Sequence, residues 1–415
     1  MGEVNRTILG RNMSVIVTNQ FLTALADSIY DVAIFWYVYD QTQSALYASI
    51  LTTISMLTQI LIGPFMGVVA DRNHPKWTMQ LGFVLMIAVG ITMTIAYVTF
   101  LDYFVILLYI GVVIHEIGMT TILPAKSKLL PRIVSMDRIV QVNGYISSTS
   151  QIAVVLGKSI SGFLISLVGF VGVMLSHSAI YLLACLLLQV LFLSSTTKRE
   201  DAIQMAATEE VKRKFAFFNE LKEALKIMRS HRTLFKLIMI GMVINLASVI
   251  GPLFIVVVRE QYNGGAIVFG WFNAVGAIGG ILVGLFAKRL LNWFKPVHTF
   301  TGSMIAGGVS ISLVGMLTNV YMGMALYFSL SFCLTIFNVA FSSLLITLVE
   351  DEYRGRIQNL TMSIAAIFIP IIAIIGGYVA DLTSAGLVYI VAGIWVVLGG
   401  CYVFFDRDVR TIEEI

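Results

Sequence analysis

"SILTTISMLTQILIGPFMGVVADRNHPKW", residues 49–77, decides the class of fold. Residues 49–70 carry no charge. "DRNHPK" (71–76) then places an acid, an arginine, a histidine, a proline and a lysine in one short turn, and a second apolar run continues from Trp77 to Phe100. A helix that crosses a bilayer needs about 20 predominantly apolar residues. An uncharged run of that length, a charged turn and a returning run therefore read as a helical hairpin through a membrane. The whole chain agrees: its 415 residues are 58% hydrophobic and 12% charged, with mean hydropathy +0.90. A soluble domain carries roughly 25% charged residues. A transmembrane β-barrel would show segments of about 10 alternating residues instead. The expected class is an all-α integral membrane protein.

Twelve spans are expected, over roughly 13–39, 45–70, 77–100, 103–124, 139–168, 170–195, 233–258, 266–287, 298–317, 321–349, 357–382 and 384–405. "MGEVNRTILGRN" at the start is short and polar, and the run after it is too long for the apolar region of a signal peptide. No cleaved signal is expected. Basic residues collect in cytoplasmic loops. With the N-terminus inside, 25 of the 27 Lys and Arg fall on the cytoplasmic side, and only Lys158 and Arg259 do not. Both termini are therefore expected in the cytoplasm of a multi-pass protein of a bacterial cytoplasmic membrane. The net charge of +4 reflects that bias and points to no nucleic-acid partner. Cys185, Cys333 and Cys401 lie in different spans, with no disulfide or metal-ligand spacing. No G-x-x-x-x-G-K-[ST] occurs, so ion gradients are the expected energy source and no cofactor is expected.

The one long polar segment, residues 196–232, divides the spans six and six. Phe217, Leu221, Leu225 and Met228 share a helical face within it, which suits an amphipathic helix near the membrane surface. Bundles over 1–195 and 233–415, joined by this linker, are the expected domains. "GVVADR" (67–72) and "GLFAKR" (284–289) end even-numbered spans and match at Gly, Ala and Arg, which suggests an internal duplication. Parallel six-helix halves are a known transporter arrangement.

"GVVADRNHPK" resembles the loop between helices two and three of the major facilitator superfamily, of pattern G-x-x-x-D-R-x-x-[RK]-[RK]. "GPFMGVVADRNHPK" is similar to the macrolide-efflux type of drug exporter. "DEYRGRIQNL" (351–360) resembles that type's turn before helix eleven, and "FNELKEALKIMRSHRTLF" (218–235) its linker helix. The resemblance covers nearly the whole chain. It implies alternating access, with outward drug movement coupled to inward proton flow. Spans 1, 4, 7 and 10 would line the cavity. Gly67, Asp71, Arg72 and Lys76 with Arg354, Gly355 and Arg356 would form gating turns, Asp71 latching onto the N-terminal end of helix eleven. The implied partners are a small-molecule drug, protons and the bilayer, with the protein a monomer.

Ionisable groups inside a membrane are costly and are functional suspects by default. Asp27 and Asp31 lie four apart in span one and share a helix face. Two carboxylates there cannot both ionise cheaply, which suits one of them to carrying a proton; a water-exposed pair attracting cations is the alternative. Glu116 in span four is suited to coupling or cation binding, with an ion pair to Lys158 as its competitor. His115 stands where related exporters commonly carry arginine, with Gly118 in its usual place. Histidine titrates near neutrality, so a relay through His115–Glu116 is one expectation, in place of an always-charged arginine; a packing histidine is the alternative. Lys158 follows Gly157 where antiporters of the superfamily often carry Gly-Pro, and should seek Asp31 or Glu116. His177 is expected to be structural. The second half offers Asn245, Asn338 and Phe337 as possible cavity lining. A siderophore or lysophospholipid exporter is the alternative substrate reading. A membrane enzyme is the remote one, since His115, Glu116 and His177 lack metal-ligand spacing.

Overall fold

The computed structural model describes residues 2–134, 138–191, 232–293, 296–349 and 368–406, and all of its regular structure there is helical. In chain order the helices are α1 (Gly2–Thr42), α2 (Ala45–Arg72), α3 (Pro75–Thr99), α4 (Phe104–Ile133), α5 (Ile139–Gln189), α6 (Arg232–Asn245), α7 (Ile250–Val256), α8 (Ala266–Trp293), α9 (Pro296–Met316), α10 (Val320–Leu348), α11 (Phe368–Leu382) and α12 (Ala385–Phe405). Ten helical stretches among the described residues are long and apolar enough to cross a membrane, and α11 is a shorter apolar helix. Their outer faces stay apolar: Leu61 is 63% exposed, Phe65 69% and Leu167 64%. Water does not tolerate that surface over a whole molecule, and lipid does.

Three local features explain how the chain is divided. The 51 residues of α5 would make a rod of about 75 Å at 1.5 Å per residue, over twice the hydrocarbon thickness. The rod breaks at Gly169, whose φ of 62° and ψ of −170° are open essentially to glycine alone, at the place where hydropathy puts the end of one span and the start of the next. Between α6 and α7 the chain tightens into a 3₁₀ turn, Leu246–Val249, ahead of Gly251 and Pro252. Proline supplies no N–H and crowds the carbonyl four residues back, which is Ser248. The turn between α2 and α3 is built by Asn73, which donates to the Val69 carbonyl at 2.8 Å, and by Pro75 at the first position of α3. Hydropathy underestimates two helices: α4 runs on to Ile133 and α8 to Trp293. The backbone ladder does not need an apolar medium, so a helix can continue after the lipid ends.

The chain packs as two compact units, Met1–Thr42 with Ile54–Val211 and Gln43–Thr53 with Lys212–Ile415. In the first, α1 packs along α5, and α3 packs on α4 and α5. Its core takes Ile16 from α1, Phe83 and Met86 from α3, Leu129 from α4 and Tyr181 and Leu188 from α5. Buried polar contacts fix the register: Asn19 donates to the Ala184 carbonyl at 2.7 Å and Ser178 to the Ile87 carbonyl at 3.0 Å. In the second unit, α9 packs on α12 and α10, and α10 on α8.

The second unit also holds the start of α2. Asp381, at the end of α11, accepts from the Ser44 hydroxyl at 2.5 Å and from the backbone N–H groups of Ala45 at 2.6 Å and Leu46 at 3.2 Å. A carboxylate from one helix thus caps the N-terminus of another, where the helix dipole favours negative charge. Close by, Thr53 donates to the Pro370 carbonyl at 3.2 Å. Asp381→Ala should destabilise the protein by about 1–3 kcal/mol, the cost of orphaning these donors. A thermal-unfolding midpoint in detergent unchanged from wild type would show that the cap is not needed.

Candidate functional site

The first unit gathers ionisable side chains from three of its helices at one place. α1 brings Asp27, Tyr30 and Asp31, which share a face at i, i+3 and i+4. α4 brings His115 and Glu116, and α5 brings His177 and Tyr181, one turn apart and beyond the break at Gly169. The Tyr181 hydroxyl donates to Asp27 Oδ1 at 2.5 Å. His115 Nε2 lies 3.5 Å from the same oxygen, near enough for an ion pair when the ring is protonated but without hydrogen-bond alignment. The Tyr30 ring stacks flat on His115, with centroids 4.0 Å apart and planes 6° from parallel. It tilts against His177 at 5.0 Å, and His177 lies 4.9 Å from the Tyr181 ring.

This cluster is deeply buried: His115 is 3% exposed, His177 0% and Tyr30 2%. Among the described residues, Tyr30 Oη, His115 Nε2 and both ring nitrogens of His177 have no hydrogen-bond partner. An orphaned buried polar group costs about 1–3 kcal/mol. Apolar packing alone would not select two histidines and a tyrosine there.

Around this core the other candidates divide. Asp31 is exposed and interacts electrostatically with His115, Asp27, Lys158 and Glu116. Glu116 accepts from Gln59 Nε2 of α2 at 3.0 Å. Lys158 is exposed and forms no ion pair among the described residues, so the expected bridge to Asp31 or Glu116 is not made. Burying a bridge would cost both ions their solvation, and all three side chains keep access to the surface. Lys126, placed among the cytoplasmic loop residues by hydropathy, sits within α4; its ammonium bonds Gln20 Oε1 at 2.5 Å, and Gln20 Nε2 donates to Ser150 at 3.2 Å.

Among the described residues, the gating turn has partners on α4 and α5. Asp71 pairs with Lys128 of α4, whose ammonium also reaches the Ala70 carbonyl at 3.5 Å. Lys76 donates to the Gln189 carbonyl at the C-terminal end of α5 at 3.3 Å, where the dipole favours a cation. Gly67 is half-buried and Arg72 exposed. Arg354, Gly355 and Arg356, and the start of helix eleven where Asp71 was expected to latch, lie outside the described residues.

In the second unit Asn245 is half-buried and Asn338 exposed. Phe337 stands in an aromatic stack with Phe300 (5.0 Å) and Phe341 (5.9 Å). A separate apolar groove runs between α6 and α12, lined by Phe235, Met239, Trp395 and Tyr402. Lys236 also lines it and pairs with Asp406 at 2.7 Å.

Ten long apolar helices among the described residues, with a buried ionisable cluster in the first unit, are the plan of a polytopic membrane protein. The family model described as Major Facilitator Superfamily matches residues 16–367 and 248–414, and the chain belongs to that superfamily. It is therefore a transporter and not an enzyme. It is 23% identical to Macrolide efflux protein A of Streptococcus pyogenes over 407 residues, covering 95% of each chain. Over 166 residues it is 27% identical to the Lysophospholipid transporter LplT of Photorhabdus laumondii, covering 39% of this chain and 38% of that one. Its fold is similar to the crystal structure of the nucleoside transporter NupG, with a TM-score of 0.72 at 13% identity over 95% of this chain and 99% of that one.

Tyr30, Tyr181 and Gln59 were not singled out by sequence reasoning. Tyr30 carried a signal, since it lies three residues after Asp27 on the same face; Tyr181 and Gln59 carried none.

Proposed function

We propose that the protein is a secondary active exporter of hydrophobic or cationic, macrolide-like drugs, working by proton antiport through alternating access. It crosses a bacterial cytoplasmic membrane twelve times in two six-helix bundles, residues 1–195 and 233–415, joined by a cytoplasmic linker over 196–232. Both termini are cytoplasmic and the protein acts as a monomer. The observation that carries the coupling mode is the contact between Asp27 and His115 inside the first unit. An imidazole and a tyrosine hydroxyl on one carboxylate oxygen, away from bulk water, can exchange a proton at low cost only if the medium around them changes, and alternating access supplies that change. Asp31 and Glu116, both accessible, serve as the entry for protons or cationic drug. The similarity to Macrolide efflux protein A supports the substrate class. The packing supports the duplication: Gly90 of α3 lies against Met174 and Ser178 of α5, and Gly308 of α9 lies against Gly393 and Val397 of α12.

The test is drug accumulation in everted vesicles energised by a proton gradient. It should collapse on adding an uncoupler and fall about tenfold in Glu116→Gln. Accumulation insensitive to the uncoupler would overturn the antiport. A second reading, export of a lysophospholipid, is favoured by the partial similarity to LplT and by the apolar groove that Lys236 helps to line. Movement of a labelled lysophospholipid, with no drug movement, would establish it instead.

A further inference from the structure

The fold brings together three side chains that proton transport does not need as a set. Asp27, His115 and His177 each present a ligand atom, and these atoms all lie within 4.8 Å of one another. They come from α1, α4 and the second part of α5. The distance from Asp27 Oδ1 to His115 Nε2 is 3.5 Å. Two ligands at about 2.1 Å on a tetrahedral ion stand roughly 3.4 Å apart, so that edge is already of the right length. The remaining edges are no longer than 4.8 Å, so each would close by at most about 1.4 Å.

An independent observation points the same way. His177 is fully buried and both its ring nitrogens are without hydrogen-bond partners among the described residues, as is Nε2 of His115. A packing histidine normally satisfies at least one nitrogen, and an ion would take up one nitrogen of His177 and Nε2 of His115. Tyr181 holds Asp27 by donating to Oδ1, and Tyr30 holds the His115 ring by stacking. The arrangement therefore fixes the direction of two of the three ligands before an ion arrives.

We propose that Asp27, His115 and His177 form a binding site for a divalent first-row transition cation of the zinc class. Two imidazoles and one carboxylate suit zinc and iron(II) and give magnesium or calcium too few oxygens. The ligand set brings one negative charge to a doubly charged ion, and Asp31 and Glu116, both in electrostatic reach of His115, add to its attraction. Three protein ligands leave one coordination position open. Asp27, with its side chain 17% exposed, is the least buried of the three and marks the side from which the ion enters. Occupancy would hold α1, α4 and α5 together at their centre and so arrest the unit in one packing. The site stands on geometry and does not depend on the drug or on the proton coupling.

The experiment is titration of the purified full-length transporter, stripped with chelator, with cobalt(II) chloride and no drug or gradient. The expected result is visible d–d absorption of a tetrahedral site saturating at one Co2+ per chain and erased by Zn2+. His177→Gln and His115→Gln should each abolish the band, and Asp27→Asn should weaken binding about tenfold to hundredfold. Size-exclusion profiles and unfolding midpoints show that the variants fold. A wild-type protein that gives no d–d band at excess Co2+ overturns the proposal on its own, without any variant. So does a band that persists in both histidine variants. Neither result touches the drug-export reading, which is measured in vesicles.

Discussion

Asp27→Asn is expected to lower gradient-driven export at least tenfold while leaving the protein folded and the drug bound. Asparagine has the shape of aspartate, and its amide oxygen can still accept the Tyr181 hydroxyl, which lies 2.5 Å from Oδ1 in the native protein. The charge and the proton are what it removes. His115 Nε2, 3.5 Å away, then loses the nearest anion it faces when the ring is protonated. Tenfold in rate corresponds to about 1.4 kcal/mol, a modest share of what a buried charge pair loses when one partner is neutralised. The measurement is the initial rate of drug uptake into everted vesicles, with drug binding followed separately in detergent. Equal losses of rate and binding would place Asp27 on the drug, and an unchanged rate would remove it from coupling. Tyr181→Phe removes one hydrogen bond and keeps the charge, so its loss should be smaller.

Gly308→Leu should prevent stable folding of the second unit. α9 and α12 meet through glycines seven residues apart on each helix. A Cβ on Gly308 would lie 2.7 Å from the Gly393 carbonyl oxygen and 2.9 Å from the Val397 nitrogen, and one on Gly315 would lie 2.5 Å from the Gly386 carbonyl oxygen. These neighbours are backbone, so no side-chain rotation relieves the clash. Lipid provides no hydrophobic drive for helix association, so close backbone approach at small residues is what holds such a pair. Overpacking typically costs about 1–3 kcal/mol where side chains can give way, and more is expected here. Gly302 of the same helix has nothing within 4 Å of its missing Cβ. Gly302→Ala should then be neutral or stabilising by up to about 1 kcal/mol. Yield and unfolding midpoint in detergent decide the pair, and a Gly308→Leu protein as stable as Gly302→Ala would refute the packing argument.

The legible parts of this protein were those that depend on local composition. Residues 49–77 announce the hairpin because lipid and water select opposite residue types, and the break at Gly169 falls where hydropathy divides 139–168 from 170–195. Asp27, Asp31, His115 and Glu116 stood out because charge in an apolar run is costly wherever the helix goes. Lys158 stood out for the same reason, yet its bridge is not made, since hydropathy registers a charge and not its partner. Asp71 stood out in its charged turn, and its pairing with Lys128 did not.

The sequence by itself thus determined the membrane class, the helical hairpins and which residues are anomalous within them. Only the tertiary structure decided that His177 and Tyr181 of α5 meet Asp27 of α1 and His115 of α4, and that glycines of α9 face glycines of α12. The physical reason is that hydropathy is a property of one segment in its solvent. The meeting of two helices depends on their relative rotation and closeness, which many small contacts set together and which no single segment encodes.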